Sequence, residues 1–92
     1  MQLPQQPVTL TPAQVEELNR KLSQMRHDVN NTLSLIVAAI ELIKYKPEMT
    51  ERMIATLKEQ PPKIISEISK FSQEFEVSFG IVREPAIGKV GA

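Results

Sequence analysis

The stretch that most constrains the fold of this chain runs from Ala13 to Lys46, where there is neither glycine nor proline. Within it, nine positions follow one another by alternating steps of three and four: Val15, Leu18, Leu22, Met25, Val29, Thr32, Ile36, Ala39 and Ile43. Such a seam is a heptad repeat, typical of a helix packed lengthwise against other helices. Thr11 and Pro12 suit the N-cap and first position, and Pro47 suits a stop. The sequence therefore predicts one long helix over about 12–46.

A second helix is predicted to begin near Glu48 and to run to about Phe75. Its buried face would be Met49, Met53, Ile54, Leu57, Ile64, Ile65, Ile68, Phe71 and Phe75. Pro61 and Pro62 lie inside it, and an internal proline removes a helical hydrogen bond and clashes with the preceding turn. We therefore expect either one kinked helix or two shorter ones.

The predicted fold class is all-α: an antiparallel helical hairpin that dimerises into a four-helix bundle. The apolar stripes are too wide for a single hairpin to cover, and a second copy would bury them. We place the Val15–Ile43 seam near the axis of that dimer. The predicted domain layout is a flexible tether over residues 1–10, the hairpin over 11–79 and a flexible tail over 80–92.

Composition excludes several classes of function. Eleven basic and eleven acidic residues cancel, and there are three Phe, one Tyr and no Trp, which disfavours nucleic-acid binding. With one His and no Cys, a zinc site within one chain is not expected, and we predict no cofactor. The longest apolar stretch, 33–43, is too short to cross a membrane, and the N-terminus does not resemble a secretory signal. We expect a cytoplasmic protein without membrane contacts.

The single histidine, His27, takes the heptad position farthest from the seam, so we expect it to be exposed on a polar stripe. A lone exposed histidine is most often an ordinary surface residue. However, Asn30 and Asn31 are poor helix formers beside it, and local stability is given up most readily at functional sites. Asn31 lies one turn on, on the same face as His27. Asp28 is a candidate carboxylate partner, although adjacent helical residues point about 100° apart.

The segment "MRHDVNNTLSLIVAAIEL" (25–42) resembles the phosphoacceptor helix of two-component sensor histidine kinases, the dimerisation and histidine phosphotransfer module. The motif of that family, a histidine, an acid, two residues and then Asn or Thr, is matched by His27, Asp28 and Asn31. "FSQE" (71–74) is also similar, and the resemblance covers about residues 12–76. It implies that His27 carries a phosphoryl group and exchanges it with an aspartate of a response-regulator receiver domain. It implies Asp28 as the acid/base partner, Asn31 as the residue that orients water in dephosphorylation, and a regulator docked over the polar stripe and the start of the second helix.

Two departures from the family pattern concern the helices. Thr32 replaces the usual proline after the motif, so the kink beside the histidine is expected to be absent. The Pro61–Pro62 pair is unusual and would move the bend to the second helix.

A third departure is that no ATP-binding domain with a glycine-rich lid follows. The chain would therefore be a phosphotransfer protein served by a histidine kinase in trans, which its start at Met1 favours, or a piece of a larger kinase. Two alternatives stay open: a dimeric adaptor that binds a kinase or regulator without chemistry, and a regulator phosphatase that uses Asn31.

Overall fold

The computed structural model describes residues 2–82, which form two long antiparallel helices joined by a short turn. Helix α1 spans Pro12–Tyr45, a single 3₁₀ turn spans Pro47–Met49, and helix α2 spans Thr50–Phe79. The predicted helical hairpin is confirmed. The α1 boundaries agree with the sequence prediction to within one residue, whereas α2 ends one turn later than predicted.

The start of α1 is fixed by reciprocal hydrogen bonds between Thr11 and Gln14. The Thr11 hydroxyl accepts from the Gln14 backbone N–H at 3.1 Å, and the Gln14 side-chain oxygen accepts from the Thr11 N–H at 2.8 Å. Pro12 occupies the first helical position, where its missing N–H costs nothing. This capping box satisfies two backbone donors that would otherwise lack partners.

Helix α2 continues through Pro61 and Pro62 as one element and is not split into two. Because proline has no N–H, the carbonyls four residues earlier, of Leu57 and Lys58, have no helical donor. The helix ends where Gly80 adopts φ 66°, a left-handed conformation that favours glycine. The Ile81 N–H then returns to the Glu76 carbonyl at 2.9 Å, which closes the last turn.

The heptad seam of α1 packs against α2 of the same chain. Thr32 and Ala39 are its buried members, and both are small enough to let α2 approach closely. Val15, at the other end of the seam, is 52% exposed. The buried part of the seam closes the hairpin itself, and the position of the seam relative to a dimer axis stays a prediction.

The most buried side chain among residues 2–82 is polar. Gln60 is 2% exposed; its amide nitrogen donates to the Thr56 carbonyl at 2.7 Å, but its buried side-chain oxygen has no partner. An unsatisfied buried acceptor costs about 1–3 kcal/mol. Gln60 therefore lowers the stability of the hairpin at its most tightly packed point.

We expect Gln60→Met to raise the free energy of unfolding by about 1 kcal/mol, since Met has a similar shape and leaves no acceptor unpaired. Thermal unfolding at fixed protein concentration measures the change, and the midpoint should rise by about 4–8 °C. Gln60→Glu, which keeps the shape but buries a carboxylate, should lower it. A lower midpoint for Gln60→Met would show that the orphan oxygen is not a net cost.

The two ends of the described range, Gln2 and Val82, meet at the end of the hairpin opposite the 3₁₀ turn. Lys21 of α1 pairs with Glu74 of α2 at 2.6 Å, and Gln2 forms an antiparallel bridge with Val82. The flexibility predicted for residues 1–10 stays a prediction, and residues 83–92 of the predicted tail lie outside the described residues. Within 2–82, neither helix has the length and apolar character required to cross a lipid bilayer.

Candidate functional site

The imidazole of His27 is exposed near the middle of α1, as predicted. Its Nε2 lies 3.3 Å from the side-chain nitrogen of Asn31, one helical turn further on. Asn31 is also exposed. Of the three residues predicted for the site, the structure thus brings these two into contact.

Asp28 is turned away from the histidine toward α2. It is half-buried, and its Oδ1 accepts a hydrogen bond from the Gln24 side chain at 3.0 Å. Within the described part of the chain, no hydrogen bond joins Asp28 to His27. The separation follows from helix geometry, since neighbouring residues point about 100° apart. Asp28 instead occupies the edge between the helices.

Thr32 anchors the helix directly after the site. Its buried hydroxyl donates to the carbonyl of Asp28 at 3.0 Å, and α1 continues through this position as one helix. Where the resembled family usually has proline, this chain has a residue that keeps its backbone N–H. The segment that carries His27 is therefore joined directly to the apolar half of α1.

Two shallow grooves follow the edge between α1 and α2 beside the site. The first, of about 310 Å³, brings together cations and carboxylates from both helices: Arg20, Lys21 and Lys70 with Asp28, Glu67 and Glu74. The second, of about 350 Å³, lies between Asp28 and Thr32 on one side and Lys63 and Ser66 on the other. Asp28 and Glu67 line both grooves. The edge between the helices beside Asp28 is therefore a trough lined by charged side chains of both signs.

Charge pairing within this trough is mostly local. A hydrogen bond from Arg20 to Glu17, at 2.6 Å, lowers the pKa of the Glu17 carboxyl, and Lys21 bridges Glu17 and Glu74. Lys70 lies 3.9 Å from Glu67. Lys63 forms no ion pair with any residue of the described range. Lys63 is thus a cation available to an acidic partner on this edge.

No family model, curated protein or solved structure matches the chain. The interpretation of the site therefore depends on the chemistry and arrangement of its own residues. Within residues 2–82, no three His, Asp or Glu side chains converge on a point where they could hold a metal ion.

Sequence reasoning did not identify the hydrogen-bond partner of Asp28 or the residues of α2 that lie beside it. Gln24 lies four residues before Asp28, a spacing that places two helical side chains in contact, so the spacing rule could have identified it. Lys63 and Glu67 lie on the other helix. Placing them requires the register of α1 against α2, for which the sequence offers no local signal.

Proposed function

We propose that this chain is a histidine phosphotransfer module that carries a phosphoryl group on His27 and exchanges it with the aspartate of a response-regulator receiver domain. In the forward step, Nε2 of His27 attacks the phosphorus of the receiver's acyl phosphate. The bond between phosphorus and the carboxylate oxygen breaks, and the electron pair leaves with the carboxylate. The reverse step returns the group to a receiver. ATP is not needed in either direction.

The observation that carries the proposal is the contact of Asn31 with the exposed His27 ring. A neutral imidazole is a good nucleophile near neutral pH, and exposure leaves room for a partner's aspartate to approach. The amide of Asn31, 3.3 Å from Nε2, is within reach of an oxygen of the transferred group. Asp28 would have to leave Gln24 before it could act as the acid/base partner.

We propose further that the working form is a homodimeric four-helix bundle. Nine large apolar side chains of α1 and α2 are each between 40% and 64% exposed. Apart from Leu35, they are Val15, Leu33, Val37, Ile40, Ile54, Ile65, Ile68 and Phe75. At about 100° per residue on two antiparallel helices, all eight fall on the same side of the hairpin, which we call the apolar face. An exposed patch of this extent is typical of an interaction surface.

A second copy fits the apolar face best, because the face runs the length of both helices. His27 and Asn31 lie on the other side of α1. Dimerisation through the apolar face would therefore cover the apolar side chains and leave the site open to a receiver.

The proposal is tested by incubating the protein with a receiver domain phosphorylated on its aspartate. We expect acid-labile, alkali-stable label to appear on the chain and to be absent from a His27→Ala variant. Asn30→Ala is a matched control, because it changes a neighbouring amide that is not hydrogen-bonded to His27.

Two other outcomes would each replace the proposal. A stable complex without transfer would indicate a dimeric adaptor. Release of inorganic phosphate that depends on Asn31 and not on His27 would indicate a regulator phosphatase. The choice of receiver does not affect this distinction, provided that the receiver forms a complex with the chain.

A further inference from the structure

The contact between the Asn31 amide nitrogen and Nε2 of His27 is a hydrogen bond in only one tautomer of the neutral ring. An amide nitrogen carries two hydrogens and accepts nothing, so the Asn31 side chain donates and Nε2 of His27 accepts, at 3.3 Å. A ring nitrogen that accepts carries no proton. The neutral ring must then hold its proton on Nδ1.

We infer that Asn31 is a positioning residue that shifts the tautomer equilibrium of His27 toward the Nδ1–H form. Free imidazole side chains in water favour the opposite tautomer, with the proton on Nε2, so an outside influence is needed to reverse or reduce that preference. The second half of the inference depends on the proposed function: the Nδ1–H tautomer places the lone pair on Nε2 and makes that atom the phosphoryl acceptor.

No other described group competes with Asn31 for the ring. Asp28, whose carboxylate could accept a ring N–H, is bonded to Gln24. Arg26, on the other side in sequence, donates to the Ser23 hydroxyl at 3.3 Å. Lys63 and Glu67 of α2 line the trough with Asp28 and are not hydrogen-bonded to His27. Within residues 2–82 the Asn31 amide is therefore the side chain that biases the tautomer.

The same contact serves the transfer step. When a bond forms between Nε2 and phosphorus, the Nε2 lone pair is no longer available to the amide. The Asn31 N–H is then free to donate to an oxygen of the phosphoryl group, and the ring proton stays on Nδ1. Asn31 would thus keep Nε2 of His27 unprotonated before transfer and stabilise the phosphohistidine after it.

The tautomer can be read directly, because the chain has one histidine and its labelled ring gives a single set of nitrogen signals. We would record ring ¹⁵N shifts of the unphosphorylated, full-length protein in alkaline buffer, for the native chain and for Asn31→Ala, Asn31→Asp and Asn30→Ala. A contact of this kind on an exposed helix shifts an equilibrium about twofold. Asn31→Ala should therefore lower the ratio of the Nδ1–H to the Nε2–H form about twofold.

Asn31→Asp provides the opposite test, since a carboxylate only accepts and should favour the Nε2–H form beyond the alanine variant. Asn30→Ala should leave the ratio unchanged, which separates the contact from a general change in helix stability. Equal ratios in the native chain and in Asn31→Ala would overturn the inference.

The acceptor atom is tested by phosphorylating the same variants with phosphoramidate and assigning the phosphorylated nitrogen from ³¹P–¹⁵N coupling. We expect Nε2 in the native chain and an increased share of Nδ1 in Asn31→Asp. An unchanged share would refute the link between tautomer and acceptor. Failure of the native chain to be phosphorylated would sink the proposed function and leave the tautomer measurement standing, so the two failures are distinguishable.

Discussion

We expect that replacing His27 by Ala abolishes phosphoryl uptake from phosphoramidate, to the level of the uncatalysed background. In the proposed function the imidazole supplies the nucleophile, and the chain has no second histidine and no cysteine that could take its place. Nε2 forms the bond to phosphorus while the bond from phosphorus to nitrogen breaks and ammonia leaves. Intact-mass spectrometry measures one added phosphoryl group, and treatment with acid should remove it. This is one of the two largest effects that we expect.

The His27→Ala variant should fold normally, because the ring is exposed and alanine is the better helix former. Unchanged circular dichroism therefore accompanies the loss of uptake. Asn30→Ala, three residues further along α1, should still be phosphorylated. Label that persists in His27→Ala would place the reactive group on another side chain and would contradict the proposed site.

The helices could be predicted because their signals are local. Thr11 and Pro12 at one end and Pro47 at the other define α1, and its seam repeats without a break. The end of α2 was placed too early because the apolar period weakens after Phe75. Gly80 was the better signal, since it supplies the left-handed residue that ends the helix.

Which side chains are buried and which residues they contact could not be predicted in the same way. Gln60 occupies a position where the helical period predicts an apolar side chain. Because Gln60 is polar, the sequence did not predict that it is the most buried residue of the described hairpin. The pairing of Asp28 with His27 was suggested by adjacency in the sequence, whereas side-chain direction on a helix favours partners three or four residues apart. That rule did predict that Asn31 shares the face of His27.

Substituting Leu33 by Glu dissociates the proposed dimer. Leu33 lies near the middle of the apolar face and is 46% exposed in the hairpin, so the second copy would cover it. Each dimer would bury two carboxylates without partners, and each uncompensated polar group costs at least about 1–3 kcal/mol. We expect the dissociation constant to rise about a hundredfold or more, measured by sedimentation equilibrium.

Leu35→Glu is the matched control, because the same change is made two residues away. Leu35 is 52% exposed but points to the other side of α1, away from the apolar face. The Leu35→Glu substitution should therefore leave the dimer intact. If both variants dissociate the dimer equally, the interface is not the apolar face; if neither does, the native chain does not pair through it.

Dissociation should also lower the stability of the chain. Ala39 is the only apolar residue of the described range that is fully buried in the hairpin, so a single copy has little core of its own. The native chain should therefore unfold at a temperature that rises with protein concentration, whereas Leu33→Glu should unfold at a lower temperature with little dependence on concentration. Because His27 lies outside the apolar face, Leu35→Glu should keep both the dimer and phosphoryl uptake. The two properties of the chain would then be shown to reside on opposite sides of one helix.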